Sequence, residues 1–303
     1  QKVKKREGVK TLNVPMCREI SLLKDIKSLV ILIRLMYREH IDILHCNTPK
    51  GSLLGLLAGK IVGVPHRVYT VTGLRYQGAH GGLKLLLRLM EMLSCACATH
   101  VIPEGQGVME TLQSDHITSH SLRVLHHGNI NGVDTQFYSR EALMGNDDNE
   151  GYRCKLREKM GFQSRDFVFV FIGRIVRDKG IQELATAFQQ LPKNGALCPR
   201  LLLVGSFEQE DPIDAATKAY LETSAEVRCV GWQDDIRPFL LAADTLVFPS
   251  YREGFPNVPI QAGALGLASI VSNITGCNEI IKDGLNGTIV APHSSKALYT
   301  AMV

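Results

Sequence analysis

The chain has 303 residues, 45% hydrophobic and 21% charged, with a net charge of +4. That length implies two domains of ordinary size, and the balance is that of a globular protein rather than a disordered or fibrous one. No run of 18 apolar residues occurs, which argues against a membrane-spanning helix.

The charge is uneven. Residues 1–40 carry ten Lys or Arg against four Asp or Glu, a net of +6, leaving 41–303 at −2. Between Ile20 and His40, Leu22, Leu23, Ile26, Leu29, Val30, Ile33, Met36 and Tyr37 recur at helical spacing, with Lys24, Lys27, Arg34 and Arg38 interleaved. A basic amphipathic helix of this kind can lie on an anionic membrane surface, and a helix packed on a sheet with a solvated basic face has the same pattern. Ile41–Cys46 then reads as a strand, Asn47–Gly51 as a turn and Ser52–Ile61 as a small-residue helix. Gly55 to Lys60 lacks the spacing and the Ser or Thr of a phosphate loop. A strand over Arg67–Gly73, a Gly-rich loop over Gly78–Gly82 and an apolar helix over Leu83–Cys97 follow. Thr99–Pro103 and Arg123–His127 read as further strands, and the alternation implies a parallel sheet.

Ser139–Glu150 is polar, acidic and aperiodic, the composition of a linker, and a short helix near Tyr152–Met160 leads out of it. Phe167–Gly173 is a continuous apolar run, as in a strand covered on both faces. Leu201–Gly205, Val227–Gly231, Thr245–Pro249, Ser269–Ser272 and Thr288–Val290 repeat the strand pattern. Helical stretches such as Ile181–Leu191, Asp235–Ala243 and Ser294–Val303 lie between or after them, giving a second doubly wound domain. The eight cysteines (17, 46, 95, 97, 154, 198, 229, 277) form no C-x-x-C pair and no zinc spacing. Several sit in apolar runs, as Cys229 does, and read as reduced core residues of a cytosolic protein.

The chemistry concentrates between Pro249 and Gln261. A strand, a turn bearing Glu253 and Gly254, and a helix start restricted by Pro256 and Pro259 make an anion site, because the first N–H groups of a helix have no partner within it. The available donors are Gly254, Phe255, Asn257 and Val258. Glu253 beside a bound phosphate would be repelled, so it is expected to face a polyol, with Gln261 also within reach of ligand hydroxyls. An ordinary turn with a structural Glu accounts for the turn alone equally well. Arg174 and Lys179 bracket the loop Gly173–Gly180 after the apolar strand, a planar fork and a point charge that both suit phosphate oxygens. The chain contains no Asp-x-Asp, so fixed cations and helix N–H groups, rather than a metal, are expected to meet the charge of an anion bound there.

Glu253-Gly254-Phe255-Pro256-Asn257-Val258 through Gln261 resembles the E-x7-E signature of the retaining glycosyltransferases of family 4, which have the GT-B fold. Gly173-Arg174 to Lys179-Gly180 is similar to that family's diphosphate loop, Asn131-Gly132-Val133-Asp134 to its segment before the linker, and Gly276-Cys277-Asn278-Glu279 to its G-x-x-E turn. The chain departs from the family at Gln261 (usually Glu), at Asn47 in Asp42–Lys50 (commonly His) and at Thr72 in Tyr69–Gly73 (often His).

The resemblance implies an α/β, GT-B protein with two Rossmann-like domains facing a cleft: an incomplete N-terminal domain over 1–138, a linker over 139–162 and a C-terminal nucleotide-sugar domain over 163–303. Beside the family the chain lacks an N-terminal strand–helix–strand and a C-terminal helical segment, so both ends are expected to be cut. The implied reaction is transfer of a hexose, with retention, from a nucleotide diphosphate sugar to a bacterial, lipid-linked surface polysaccharide. A nucleotide-sugar-binding pseudoenzyme and a GT-B epimerase are the alternatives. Glu253, Lys179 and Arg174 would be catalytic. They would also bind the donor with Gly254, Phe255, Asn257, Val258 and Gln261, while Asn47, Thr72 and Arg75 would stand on the acceptor side. Backbone near Trp232, the single tryptophan, meets the nucleotide base in the family. Neither cofactor, metal nor nucleic acid is implied, and the expected place is the cytoplasm, with peripheral contact on the inner face of the membrane.

Overall fold

The computed structural model describes residues 8–17, 20–145, 149–192 and 198–303. The acidic pair Asp147-Asp148 of the expected linker lies outside them. The chain forms two compact units. One runs to Glu104 and includes Val108–Gly128; the other holds Gly105–Gly107 and Asn129–Val303.

In the first unit, α1 (Leu22–Glu39) precedes β1 (Ile43–Cys46), α2 (Pro49–Val62), β2 (His66–Val71), α3 (Gly81–Cys97), β3 (His100–Pro103) and α4 (Gln106–Ser114), the first two residues of α4 falling to the second unit. The local sequence accounts for the helix ends. Asp25 in the first turn and Arg38 in the last complement the dipole of α1. Pro49 opens α2, and Gly63, left-handed at φ 82°, closes it by donating back to Lys60. Among the described residues, β1, β2 and β3 form one parallel sheet in sequence order, with Ile43 opposite His66 and Val68 opposite His100. Leu56, Tyr69, Val71, Cys95 and Leu112 fill its core.

The expected strand over Arg123–His127 does not form. His126 (φ 52°), Gly128 (φ 87°) and Asn129 (φ 65°) take left-handed backbone, which a strand excludes. Leu125 is 57% exposed, so the apolar residues of this run are not covered as their pattern implies.

The second unit holds α5 (Arg140–Met144), α6 (Asn149–Lys159), β4 (Asp166–Ile172), α7 (Ile181–Gln189), β5 (Cys198–Val204), α8 (Ala215–Thr223), β6 (Val227–Cys229), α9 (Arg237–Ala242), β7 (Thr245–Phe248), α10 (Asn257–Ala264), β8 (Ser269–Ser272), α11 (Cys277–Ile280), β9 (Gly287–Val290) and α12 (Ser295–Met302). The unit therefore begins at Asn129, and the stretch expected as linker contains two helices that pack into it. Arg153 and Arg157 of α6 both reach the Asp244 carboxylate at 2.5 Å, and Asp244 also accepts from the Val168 N–H at 2.7 Å. The six strands are all parallel in the order β6-β5-β4-β7-β8-β9, which is the doubly wound arrangement. Burial explains the unbroken apolar run of β4: Phe169 and Phe171 point into one core and Val168 and Val170 into another. All the cysteines are free thiols, with Cys95, Cys97 and Cys277 buried.

Glu91 of α3 is a buried carboxyl at 7% exposure. Its Oε1 accepts from the Tyr69 hydroxyl at 2.7 Å. Burial outweighs this bond and pushes the Glu91 pKa up to about 6. A carboxyl raised in the folded state contributes stability while protonated, below its unfolded value, and loses it as pH rises through the folded value. Glu91→Gln keeps an acceptor for Tyr69 and removes the charge. It is expected to be more stable than the parent by about 2 kcal/mol at pH 7.5, with the gap closing near pH 4.5. Thermal unfolding of the two proteins across pH 4–8 measures this, and a gap independent of pH would contradict it.

Candidate active site

In the second unit the strand order reverses between β4 and β7, and the turns leaving these two strands meet. The turn after β4 carries Arg177–Lys179 as a single 3-10 turn and ends at Gly180, at φ 67°. A Cβ built on Gly180 would stand 2.1 Å from the Pro249 carbonyl oxygen, so only glycine permits this approach. The Tyr251 N–H donates to the Asp178 carbonyl at 2.9 Å, and Arg252 pairs with the Asp178 carboxylate at 3.0 Å. On its other side the turn is held by Asp211, which accepts from the Asp178 N–H at 2.8 Å and pairs with Arg177.

This juncture brings Lys179 and Glu253 together. Their Nζ and Oε1 lie 2.5 Å apart, with the two side chains only 13% and 17% exposed. The hydroxyl of Ser250, itself fully buried, donates to the same Glu253 oxygen at 2.8 Å and stands 3.4 Å from Lys179 Nζ. Tyr251, next in the turn, donates its hydroxyl to Glu183 at 2.5 Å and lies against the His293 ring at 3.7 Å between centroids. Burial and the neighbouring Glu183 carboxylate raise the Tyr251 pKa well above that of a free phenol, so it remains a neutral donor.

Helix α10 starts at Asn257, after Pro256, and has no side-chain cap. Among the described residues, no acceptor is recorded for the N–H groups of Gly254, Phe255, Asn257 or Val258. The turn is braced from two sides. Gly276, at φ 80°, sits so close that a Cβ there would lie 2.3 Å from the Gly254 carbonyl oxygen. The Asn129 amide donates to Asn257 Oδ1 at 2.6 Å and to the Phe255 carbonyl at 3.4 Å. Glu279 of the G-x-x-E turn accepts from the N–H groups of Gln106 and Gly107, at 2.6 and 3.0 Å, within the same compact unit.

The remaining expected residues are placed as follows. Arg174 reaches Glu208 at 3.1 Å rather than Glu253. Gln261, in the middle of α10, donates its amide to the Tyr138 hydroxyl at 2.9 Å. Trp232 is 73% exposed at the end of β6, so its ring is not core packing. In the first unit the Thr72 hydroxyl donates to the Asn47 carbonyl at 3.0 Å, which places those two residues side by side. Arg75 is exposed in the following turn. His45, in the strand that leads to Asn47 though not itself an expected site residue, is engaged with the Thr70 hydroxyl at 2.8 Å.

Sequence reasoning missed Ser250, Asn129, Glu208 and Tyr138. Ser250 lies inside the Pro249–Gln261 stretch and Asn129 two residues before Asn131-Gly132-Val133-Asp134, and their polarity beside apolar or glycine-bearing residues is the available signal. Nothing in the spacing connects Tyr138 to Gln261 or Glu208 to Arg174. The arrangement as a whole offers N–H groups with no recorded acceptor among the described residues and a carboxylate, Glu253, held by the Lys179 cation, with Arg174 engaged by Glu208. It is suited to a ligand that is both anionic and rich in hydroxyls.

Residues 153–302 match the family described as glycosyl transferases group 1, and residues 3–128 the glycosyl transferase 4-like domain. The capsular polysaccharide biosynthesis glycosyltransferase CapM of Staphylococcus aureus is 35% identical over 290 residues, covering 94% of this chain and 72% of that protein. The UDP-Gal:alpha-D-GlcNAc-diphosphoundecaprenol alpha-1,3-galactosyltransferase of Escherichia coli is 28% identical over 302 residues, covering 98% and 75%. Among solved structures, Anabaena Alr3699/HepE in complex with UDP-glucose superposes with a TM-score of 0.75 at 21% identity, covering 90% of this chain and 70% of that one. This last likeness bears on the fold.

Proposed function

Since the chain belongs to the glycosyltransferases that join a 4-like domain to a group 1 domain and have the GT-B fold, we propose that it transfers a hexose, with retention, from a nucleotide diphosphate sugar to a lipid-linked saccharide of a bacterial surface polysaccharide. The acceptor class follows the relatives, one of which is named for a diphosphoundecaprenol substrate. The observation that carries the donor side is the Lys179–Glu253 pair set beside the unpartnered N–H groups that lead into α10.

In this reading the diphosphate rests on the N–H groups of Gly254, Phe255, Asn257 and Val258. Arg174 and Lys179 carry the charge that develops as the bond from the anomeric carbon to the phosphate oxygen breaks. Glu253 faces the sugar, and Gln261 the ribose. The incoming acceptor oxygen bonds to the anomeric carbon on the same face, and its proton passes to a diphosphate oxygen, so the departing phosphate serves as the base. Asn47, Thr72 and Arg75 of the first unit stand on the acceptor side. No step asks for a metal. Transfer in excess EDTA is expected to match the untreated rate, and a loss restored by Mg²⁺ or Mn²⁺ would replace this leaving-group mechanism.

Peripheral membrane contact belongs to the same proposal. No helix among the described residues is long and apolar enough to cross a membrane. On α1, however, Leu22, Leu23, Ile26, Val30 and Tyr37 are exposed together with Lys24, Lys27, Arg34 and Arg38. Such a face suits anionic headgroups, each exposed cation contributing about 1 kcal/mol near the surface and less as salt rises. The protein is expected to co-sediment with anionic vesicles in preference to neutral ones, and Lys24→Glu/Lys27→Glu to lose that preference. Equal recovery with both vesicle types would leave α1 as a helix with a solvated basic face.

The donor assignment is tested by kinetics. Lys179→Ala removes a charge-assisted contact and strands a partly buried Glu253 beside the diphosphate. Donor binding is therefore expected to weaken by about 1.5–3 kcal/mol, and by less in Arg174→Ala, whose guanidinium is more exposed and shared with Glu208. Glu253→Gln keeps the shape but removes the charge that meets the anomeric carbon in the transition state, so kcat falls more than donor affinity. If Glu253→Gln weakens the sugar-free nucleotide as strongly as it slows transfer, Glu253 belongs to the nucleotide site instead.

A further inference from the structure

Position 261 differs chemically from the carboxylate usual in the family this sequence resembles. A carboxylate presents an acceptor whichever way it is turned; an amide presents an acceptor on one side and a donor on the other. Gln261 is half-buried in α10, and its Nε2 donates to the Tyr138 hydroxyl at 2.9 Å. That bond commits the donor end, and no partner is recorded for Oε1 among the described residues.

Tyr138 is itself held in place. Its N–H donates to the Asp134 carbonyl at 2.8 Å, and its ring meets the edge of Phe137 at 5.3 Å. The Arg237 guanidinium stacks on Phe137 at 3.5 Å and donates to the Phe137 carbonyl at 2.9 Å. Asp235 fixes that guanidinium in turn through two bonds, at 2.7 and 2.9 Å. Burial, and then the Asp235 charge, push the Tyr138 pKa up, so the group facing Gln261 is a neutral hydroxyl able to accept.

We propose that Tyr138 is a positioning residue that turns the Gln261 amide so that its oxygen, rather than its nitrogen, faces the ribose hydroxyls of the donor nucleotide. The inference rests on the reading that Gln261 meets the ribose. Tyr138 touches no reacting atom. It makes an amide present the acceptor that a carboxylate presents without help.

The test is calorimetric and needs no acceptor. The parent is titrated with UDP, ADP and GDP, and the tightest of these is then compared with its 2′,3′-dideoxy form. A neutral hydrogen bond to the ribose corresponds to a preference of about two- to twelvefold for the ribonucleotide. Tyr138→Phe deletes one oxygen and keeps the ring packing. It is expected to reduce the preference to less than about twofold while leaving affinity for the dideoxy form within twofold of the parent. Gln261→Glu/Tyr138→Phe is expected to regain the preference, because a carboxylate needs no orienting partner.

Two kinds of failure are distinct. If the parent shows no preference for ribose, or if Gln261→Ala retains one, the ribose assignment of Gln261 falls. If that preference exists and depends on Gln261, but Tyr138→Phe keeps it or weakens both ligands alike, the positioning role of Tyr138 falls by itself.

Discussion

The contact on which the candidate site depends is the approach of two turns at the carboxyl ends of β4 and β7, where Gly180 lies against the Pro249 carbonyl with no room for a Cβ. These strands are neighbours in the sheet, yet the chain winds away from them in opposite directions, β5 and β6 to one side and β8 and β9 to the other. Such a reversal leaves a crevice at the strand ends, because consecutive crossover helices no longer cover the same place. The crevice alone has no chemistry. It gains one because the Gly180 contact brings the cation of one turn onto the carboxylate of the other, and because Gly276 lets the turn after β8 press against Gly254 and Phe255.

Much of this frame was legible in the sequence, and the limits of that reading are physical. The run Phe167–Gly173 announced a strand buried on both faces, since nothing else requires apolar residues at every position. The turn with Glu253, Gly254 and two prolines announced a helix start with free N–H groups. Arg123–His127 failed as a strand because β-propensity there competes with the left-handed backbone at His126, a preference that residue type signals strongly for glycine and only weakly for histidine. The domain boundary shifted for a related reason. Polar composition over 139–150 reports solvent exposure, whereas the attachment of α6 depends on two arginines reaching Asp244, 91 and 87 residues away. The Lys179–Glu253 and Gln261–Tyr138 contacts, 74 and 123 residues apart, are likewise products of topology.

The pairing resolves an electrostatic difficulty visible in the sequence. A carboxylate close to a diphosphate is unfavourable, and Glu253 lies in the turn that supplies the N–H groups proposed to bind one. Lys179 screens it at 2.5 Å. The same balance extends around the turns: Arg174 is paired with Glu208, Arg177 with Asp211, Arg252 with Asp178 and Arg237 with Asp235. The basic residues are thus engaged before an anion arrives, and the backbone N–H groups of Gly254, Phe255, Asn257 and Val258 are the donors with no recorded acceptor among the described residues. The fixed part of the proposed anion site is therefore backbone. Arg174 and Lys179 are the adjustable part, because each can share its charge between a carboxylate and a phosphate oxygen, having several N–H groups to give.

That balance bears on why a neutral residue is workable at position 261. With the five ion pairs closed, a carboxylate there would add an uncompensated negative charge to a helix whose opening turn is proposed to hold a diphosphate, and would work against the N–H groups that attract it. Glutamine avoids that repulsion but introduces an ambiguity of its own, since its two ends differ in what they can bond. The ambiguity is removed by geometry rather than by charge, through a hydroxyl anchored by Phe137, Arg237 and Asp235. A substitution that looks conservative in the motif therefore carries a dependency outside it. Whether an amide can replace a carboxylate at this place is decided 123 residues earlier in the chain, by what stands at position 138.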